Sequence, residues 1–203
     1  MSGKILVASR NAKKLGELRR VLAAAGIEGL EVIGLDEVPE FPETPETGAT
    51  FEENAIVKAV DGAAATGLPC VADDSGLEVD ALNGMPGVLS ARWSGGHGDD
   101  DANTALLLGQ LSDVPAERRG AAFVSACALA IPGAETVVVR GEWRGRIVRE
   151  SRGENGFGYD PVFEPEGEQR TSAELSPQEK DAASHRGRAL AQLVPALAEL
   201  AKA

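Results

Sequence analysis

Short, almost wholly apolar runs alternate in the first third of the chain with segments in which apolar residues recur at helical spacing. Lys4–Ala8, Leu30–Gly34 and Leu68–Ala72 are the apolar runs, and each has the length of a buried β-strand. Between the first two, the helical repeat consists of Leu15, Leu18, Val21 and Leu22. A second predicted helix covers about Thr50–Thr66 and ends at Gly67. The pattern therefore predicts strand–helix–strand connections.

Longer β-rich runs follow in the second half of the chain. Ala121–Ile131 and Thr136–Trp143 flank Pro132-Gly133, which predicts a long hairpin, and Arg146–Arg149 can add a short strand. A helix is predicted before this hairpin, over Ala102–Leu111. The acidic run Asp99–Asp101 lies where that helix starts, so it is interpreted as favourable charge at a helix N-terminus rather than as a metal site.

The C-terminal part carries a complete helix-start signal. Ser176, Pro177 and Glu179 occupy the N-cap, first and third positions of a capping box. The predicted helix carries Lys180 and then Ser184-His185-Arg186, and amphipathic leucines follow after Gly187. Histidine beside arginine and one turn from lysine is predicted to form a donor-rich patch.

Length and composition narrow the class of protein. A chain of 203 residues can form one large domain or two small lobes with a sizeable core, and its 43% hydrophobic and 26% charged content is ordinary for a globular protein. The formal charge of −12 argues against a nucleic-acid polymer or an anionic membrane surface as partner. A local cluster of lysine and arginine can still bind a small polyanion.

Cysteine usage and the absence of long apolar runs indicate the compartment. Cys70 and Cys127 both lie in apolar strand-like runs, so buried reduced thiols are expected rather than a disulfide. Met1–Ile5 already begins a strand and lacks the apolar region of a signal peptide. The longest nearly apolar run, Ala121–Pro132, is too short to span a bilayer. These features predict a cytoplasmic protein without a membrane partner.

The most unusual stretch is Ala72–Gly76, where an apolar strand meets two carboxylates and a hydroxyl. Adjacent carboxylates at the end of a strand are costly unless something positive lies beside them, and a divalent cation is the simplest partner. If the strand continues, alternation places Asp74 on the face of Cys70 and Asp73 on the opposite face. The two aspartates are therefore predicted to have different roles.

Cations and a further acid lie upstream. The turn Ser9–Lys14 joins a strand to a helix N-terminus, which favours anions, although Ser9 or Asn11 can equally be a helix cap and the lysines solvent charges. Asp36–Gly48 is predicted to be an exposed loop that contains Glu46.

The helix after this loop has its own polar pattern. Thr50 and Glu53 match a capping box. Asn54, Lys58 and Asp61 share one helical face, which is usually a solvated surface unless the helix packs beside Asp73 and Asp74.

A glycine-rich loop, Gly153–Pro161, contains the aromatic Phe157. Three glycines around one phenylalanine let the backbone approach a flat ligand while the ring stacks on it, but a hairpin loop with a core aromatic explains them equally well. Carboxylates, cations, hydroxyls and a stacking ring suit a Mg²⁺-dependent nucleotide hydrolase, and the paucity of histidine argues against zinc. Spacing alone does not name the substrate.

Five motifs taken together resemble the non-canonical purine nucleoside triphosphate pyrophosphatases, the inosine/xanthosine triphosphate pyrophosphatase family. They are Ser9-x-Asn11-x-x-Lys14, Glu46–Gly48 with Thr50–Ala55, Ala72–Gly76 with Gly84–Trp93, Gly156–Pro161, and Lys180 with Ser184–Arg186. The resemblance covers essentially the whole chain. It implies an α/β fold in which helices flank an elongated mixed β-sheet, residues 1–203 forming one domain of two lobes with the active-site cleft between them. It also implies a homodimer.

The resemblance further implies hydrolysis of ITP, dITP and XTP to the monophosphate and pyrophosphate, by attack of a Mg²⁺-bound water on the α-phosphorus. The implied metal ligands are Glu46 and Asp74, and Asp74 is also the implied proton acceptor. The implied substrate contacts are Ser9, Arg10, Asn11, Ala12, Lys13, Lys14, Lys58, Ser75, Phe157, Gly158, Tyr159, Asp160, Lys180, His185 and Arg186. Arg10 is a departure, because many relatives have a small residue there.

Two competing functions are kept open. A non-catalytic nucleotide-binding module would use the same pocket, although intact Glu46, Lys58 and Asp74 argue against it. A glycosidase would need paired carboxylates across a groove and no phosphate-binding lysines. Donors at Lys180, His185 and Arg186 would reward the 6-oxo group of hypoxanthine or xanthine and disfavour the 6-amino group of adenine.

Overall fold

Six strands form one mixed sheet in a computed structural model that describes residues 3–42 and 44–202, with Asp181 described by its backbone alone. The strands are β1 (Gly3–Val7), β2 (Leu30–Ile33), β3 (Cys70–Val79), β4 (Gly120–Ala130), β5 (Val137–Ile147) and β6 (Phe163–Pro165). Their order is β2-β1-β3-β4-β5-β6. Strand β1 is parallel to both of its neighbours, β2 and β3, whereas β5 is antiparallel to β6. Met1 and Ser2, where the first strand was predicted to begin, lie outside the described residues.

Five α-helices and six short 3₁₀ segments accompany the strands in the described part of the chain, and the last two of these helices follow the last strand. The helices are α1 (Ala12–Ala24), α2 (Phe51–Thr66), α3 (Asp100–Gln110), α4 (Pro177–Ala183) and α5 (His185–Leu200). The 3₁₀ segments are Leu35–Glu37, Asp80–Leu82, Gly87–Arg92, Ala116–Arg118, Asp160–Val162 and Ser172–Glu174. Among the described residues, none of the helices combines the length and apolar character that a membrane span requires. The architecture confirms the predicted α/β fold with a mixed sheet and flanking helices.

The chain divides into two compact units. Unit 1 comprises Met1–Asp74, Ser125–Gly141 and Arg186–Ala203, and unit 2 comprises Ser75–Val124 and Glu142–His185. Strands β3, β4 and β5 contribute residues to both. Each unit has its own buried cluster of apolar side chains.

The core of unit 1 forms where amphipathic helices cover parallel strands. Leu18 and Leu22 of α1 are buried in the same cluster as Leu193 and Leu197 of α5 and Ile5 of β1. Helix α1 begins at the predicted place because the Asn11 side chain accepts a hydrogen bond from the amide of Lys13 at 3.0 Å. Burying each leucine contributes roughly 1.5–3 kcal/mol, so the apolar repeat fixes which face of each helix meets the sheet.

The core of unit 2 is built around aromatic rings and one buried arginine. The ring of Phe163 lies 4.6 Å from that of Phe123 and 5.7 Å from that of Trp143, measured between centroids. Arg119 is 2% exposed and donates to the carbonyls of Leu111 (2.6 Å), Ile147 (2.8 Å) and Val148 (2.9 Å). A buried guanidinium needs such acceptors, and here they tie the end of α3 to the end of β5.

Several predicted boundaries are wrong. β3 does not end at the two aspartates but continues to Val79, and Arg146 belongs to β5 rather than to a separate strand. A 3₁₀ turn at Leu35–Glu37 occupies the start of the predicted loop Asp36–Gly48. Helix α4 ends at Ala183, and the extended Ser184 separates it from α5.

Other predictions are confirmed. Cys70 and Cys127 are free and fully buried, and burial raises the pKa of each thiol to about 12. Helix α2 ends where predicted, at Gly67, whose φ of 70° lies in the left-handed region that glycine adopts easily. β4 and β5 are consecutive and adjacent in the sheet, as the predicted hairpin requires.

Candidate functional site

Asp73 of β3 binds two cations in unit 1. Its Oδ1 lies 2.9 Å from Lys14 Nζ, and its Oδ2 accepts a hydrogen bond from Arg186 Nε at 3.0 Å. Arg186 also pairs with Glu17, at 3.5 Å from Nη1 to Oε2. Burial opposes ionisation of Asp73, but Lys14, Arg186 and Lys58 outweigh it and hold the pKa of this carboxyl well below its usual range.

Asp74, the next residue, has different partners in the same unit. Its Oδ2 accepts a hydrogen bond from the Asn54 amide at 2.8 Å, and its Oδ1 lies 3.6 Å from Lys58 Nζ. The same ammonium lies 2.9 Å from Oε1 of Glu46. Two carboxylates 28 positions apart in the chain therefore meet at one positive charge, and the prediction that Asp73 and Asp74 differ in role is supported by their separate partners.

The start of α2 explains why Asn54 and Lys58 reach these carboxylates. Thr50 accepts from the amide of Glu53 at 3.1 Å, while Glu53 accepts from the amide of Ala49 at 2.6 Å rather than from the N-cap residue itself. Asn54 is 3% exposed, and its Oδ1 accepts from the amide of Gly48 at 2.8 Å. The cap thus fixes the preceding loop and aims the amide nitrogen of Asn54 at Asp74.

The polar face of α2 is divided between two environments. A solvated surface is the wrong interpretation for Asn54 and Lys58, which contact the carboxylates described above. It is correct for Asp61, which accepts a hydrogen bond from Thr44 at an exposed position, at 2.7 Å. The same helical stripe therefore leads from the buried Asn54, past the partly buried Lys58, to the exposed Asp61.

The Ser9–Lys14 turn caps α1 and places Lys14 against Asp73. Asn11 is the N-cap of α1, and Ser9 Oγ accepts a hydrogen bond from the amide of Asn11 at 3.1 Å, so the capping interpretation is confirmed for Asn11. Arg10, Ala12 and Lys13 are exposed. Lys14 is not a solvent charge, because it is half-buried against Asp73.

The glycine-rich loop in unit 2 holds Phe157 outward. The ring is 71% exposed, so the alternative of a core aromatic is wrong. The Phe157 amide donates to Oδ2 of Asp160 at 2.8 Å, and this buried carboxylate also binds Lys180 and the Ser172 hydroxyl. Gly156 has a φ of 84°, and a Cβ there would collide with the Asp160 carboxylate, so this position requires glycine.

The residue after Phe157 is held by α3. The amide of Gly158 donates to Oδ2 of Asp100 at 2.7 Å, and its carbonyl lies 3.4 Å from the Thr104 hydroxyl. Tyr159 is buried, and its hydroxyl donates to the carbonyl of Ser90 at 2.9 Å. Burial raises the pKa of this phenol.

The three predicted donors near the C-terminus have different surroundings. Lys180 Nζ lies 5.2 Å from the centroid of the Phe157 ring and binds Asp160. His185 stacks on Phe123 with centroids 5.4 Å apart, also in unit 2. Arg186 instead binds acids of unit 1.

The sequence did not predict three contacts at the site: Glu17 with Arg186, Asn54 with Asp74, and Asp100 with the glycine-rich loop. Asp100 and Asp101 lie in the first turn of α3, where negative charge was predicted to be favourable, and Asp99 caps the helix by accepting from the amide of Ala102 at 3.0 Å. Asp100 also binds a backbone amide 58 positions away. No local sequence pattern distinguishes Asp99, which caps the helix, from Asp100, which binds the loop. For Asn54, the polar stripe on α2 was the available signal.

These features match a known family. A model of the Ham1 family matches residues 5–196. The chain belongs to the Ham1 family. The dITP/XTP pyrophosphatase of Nocardia farcinica is 72% identical over 198 residues, which are 98% of this chain and 96% of the relative. The protein of the same name from Mycobacterium tuberculosis strain H37Rv is 71% identical over 198 residues, 98% of this chain and 97% of the relative.

Solved Ham1-family structures confirm the fold. The crystal structure of a nucleoside-triphosphatase, or dITP/XTP pyrophosphatase, from Mycobacterium abscessus is 69% identical, with a TM-score of 0.84 over 96% of this chain and 99% of that one. A HAM1 protein from Coxiella burnetii is 44% identical, with a TM-score of 0.87 over 97% of this chain and 99% of that one. The resemblance inferred from the five motifs is therefore confirmed across nearly the whole chain.

Proposed function

We propose that this Ham1-family protein hydrolyses the non-canonical purine nucleoside triphosphates ITP, dITP and XTP to the monophosphate and pyrophosphate, and so removes them from the nucleotide pool. The relatives named dITP/XTP pyrophosphatase, at 72% and 71% identity, support the reaction. The observation that carries the proposal is the meeting of Glu46 and Asp74 at the ammonium of Lys58. Such a charge arrangement suits a triphosphate with its counter-cation.

The donor set fits Mg²⁺. Glu46 and Asp74 supply hard carboxylate oxygens, and both already accommodate a positive charge in the form of Lys58. Among residues 3–42 and 44–202, no group of three or more histidine, cysteine, aspartate or glutamate side chains could hold a metal by itself. Mg²⁺ usually binds one or two carboxylates together with water and substrate phosphates, so Glu46 and Asp74 would hold it. When bound, it would neutralise charge on the phosphates.

The residues of unit 1 would bind the triphosphate and activate water. Lys14 and Lys58 would neutralise phosphate charge, with Ser9 and Asn11 as hydrogen-bond donors at the start of α1. Asp74 would accept the proton of the water that attacks the α-phosphorus, and the amide of Asn54 fixes the orientation of its carboxylate. Asp73 would act indirectly, by holding Lys14 and Arg186 in place.

The residues of unit 2 would recognise the purine. Phe157 would stack on the base, and Gly158, Tyr159 and Asp160 shape the loop that presents the ring. Lys180 and His185 are proposed donors to the 6-oxo group, and Ser75 of β3 is a proposed substrate contact. Arg186, which belongs to unit 1, is proposed as a further donor to the base. Adenine would leave these donors unpaired, and guanine, which shares the 6-oxo group, would have to be rejected at its 2-position.

Three broader expectations remain part of the proposal. The chain acts as one domain over residues 1–203, it works as a homodimer, and it works in the cytoplasm on a small-molecule substrate rather than on a nucleic-acid polymer. The free thiols of Cys70 and Cys127 agree with a reducing compartment.

The test is incubation with ITP, dITP, XTP, GTP and ATP in the presence of Mg²⁺, with pyrophosphate and monophosphate both measured. We expect pyrophosphate from the first three and far less from ATP. Comparable rates on ATP and ITP would contradict the base selectivity. Nucleotide binding without pyrophosphate release would instead identify a non-catalytic binding module.

A further inference from the structure

The Phe157 ring is exposed and needs support from its backbone. With 71% of its surface accessible, it gains little from core packing, and an unsupported loop would present the ring in many orientations. A stacking residue binds a base more tightly when its orientation is fixed beforehand, because the ordering cost is then met during folding rather than on binding. The groups that fix the peptides on either side of Phe157 therefore influence affinity for the base.

On one side, the amide of Phe157 itself donates to Asp160 at 2.8 Å. Asp160 is 2% exposed and also binds the Ser172 hydroxyl at 2.8 Å, so it is a rigid anchor inside the loop. The Asp160 amide also donates to the Phe157 carbonyl, but this bond is longer, at 3.3 Å, so Asp160 holds the peptide after the ring less tightly than the peptide before it. The peptide that follows the ring still has freedom at Gly158, whose φ is 61°.

On the other side, α3 binds Gly158 through both of its backbone polar groups. The Gly158 amide donates to Oδ2 of Asp100 at 2.7 Å, and its carbonyl accepts from Thr104 Oγ1 at 3.4 Å. Asp100 and Thr104 are four residues apart, hence neighbours on one face of the same helix. The shorter bond, to a charged acceptor, is the stronger of the two.

We propose that Asp100 is a positioning residue for base recognition: by binding the Gly158 amide it fixes the orientation of the Phe157 ring and so sets the affinity for the purine. The inference rests on the proposed function, since it assigns Phe157 to the base. Asp100 itself would contact neither the substrate nor the metal. Its effect should therefore appear in binding of the base and not in the chemical step.

The test compares Asp100→Ala with Asp101→Ala, which removes the same charge from the same helical turn. Loss of one hydrogen bond to a charged acceptor is worth roughly 1.5 kcal/mol, so we expect KM for ITP to rise about tenfold in Asp100→Ala. The kcat should stay within about twofold, and the inhibition constant of pyrophosphate, which has no base, should not change. Asp101→Ala should match the wild type in all three.

Two further measurements keep the proposal testable apart from activity. Hydrogen–deuterium exchange at the Gly158 amide should be faster in Asp100→Ala than in the wild type and unchanged in Asp101→Ala. Asp100→Asn keeps an oxygen acceptor and should restore most of the lost affinity. Equal KM values for Asp100→Ala and Asp101→Ala, unaltered exchange at Gly158, or no rescue by asparagine would each overturn the assignment.

These outcomes separate the inference from the proposed function. A wild-type protein that releases no pyrophosphate from ITP would refute the function while the exchange experiment still reported on the Asp100 contact. An active wild type with an unaffected Asp100→Ala variant would refute only the inference.

Discussion

The acidic side chains around Lys14 and Lys58 in unit 1 have different partners from the two aspartates that hold the glycine-rich loop in unit 2. In unit 1, Asp73 and Glu46 pair with lysine or arginine side chains, and Asp74 accepts from the Asn54 amide beside Lys58. In unit 2, Asp160 and Asp100 bind the backbone amides of the loop at 2.8 and 2.7 Å, and Asp160 also pairs with Lys180. Ion pairs between side chains determine the charge of a site, whereas hydrogen bonds to the backbone fix the conformation of a loop.

In the proposed function, unit 1 would bind the triphosphate and activate the water, and the loop of unit 2 would bind the base. Binding a triphosphate and activating a water require charged side chains, whereas stacking a flat base requires a loop of fixed conformation. Substitutions in unit 1 should therefore lower kcat, whereas substitutions in the loop of unit 2 should raise KM.

The largest effect is expected for Asp74→Asn. Removing a general base typically costs about 10²–10⁴-fold in rate, so kcat should fall by that amount while nucleotide binding persists. Single-turnover kinetics with ITP, with binding measured separately by calorimetry, would show the split. Asp61→Asn is the matched control, because Asp61 lies on exposed α2 surface against Thr44, and it should behave as wild type. Near-normal turnover in Asp74→Asn would show that another residue is the general base.

Asn54→Ala should have the next largest effect, again in kcat. Its amide binds Asp74 at 2.8 Å, and loss of a group that orients a catalytic carboxylate typically costs about 10–100-fold. Steady-state kinetics against Mg²⁺ concentration would measure it. A rise in KM for ITP at constant kcat would contradict the division between the units.

Phe157→Ala should change KM rather than kcat. Stacking of a base on an aromatic ring is worth roughly 1–3 kcal/mol, so KM for ITP should rise by about 5- to 150-fold, and by at least as much as in Asp100→Ala, while kcat is kept. Phe157→Tyr, which retains the ring, serves as the control and should leave KM close to the wild-type value. A fall in kcat of the alanine variant similar to that of Asn54→Ala would show that the loop takes part in the chemistry.

The smallest effect concerns stability and pH. A carboxyl whose folded-state pKa is lowered stabilises the fold above its unfolded-state pKa of about 3.9, and the contribution is lost as pH falls toward the folded-state value. Asp73 is such a group. The unfolding free energy of the wild type should therefore drop below about pH 4, and the drop should be shallower in Asp73→Asn. Urea unfolding at a series of pH values checks this, and parallel curves would exclude Asp73 as the source.

Local signals predicted most of the elements. Helix α1 and α2 follow from periodicity and caps, because these act within about four residues along the chain. The cap at Asn11 and the C-terminal Gly67 were both predictable on this ground. The length of β3 was not, because nothing in the residues Asp73 and Asp74 by themselves favours a strand, and their cationic partners stabilise it from elsewhere.

The pairings within the site depend on packing that no local pattern contains. Arg186 binds Asp73 across 113 positions, and Asn54 binds Asp74 across 20. Likewise, the composition of the glycine-rich loop permitted either a core or an exposed Phe157, because apolar character does not specify burial when glycines leave the backbone free. The residue types were predictable, and their partners required the fold.

The most direct measurement of the proposed reaction is hydrolysis of ITP in water enriched in oxygen-18, followed by mass spectrometry of both products. Attack on the α-phosphorus with Asp74 as proton acceptor places the heavy oxygen in inosine monophosphate and leaves pyrophosphate unlabelled. Label in pyrophosphate, or release of inorganic phosphate in place of pyrophosphate, would contradict the proposed reaction.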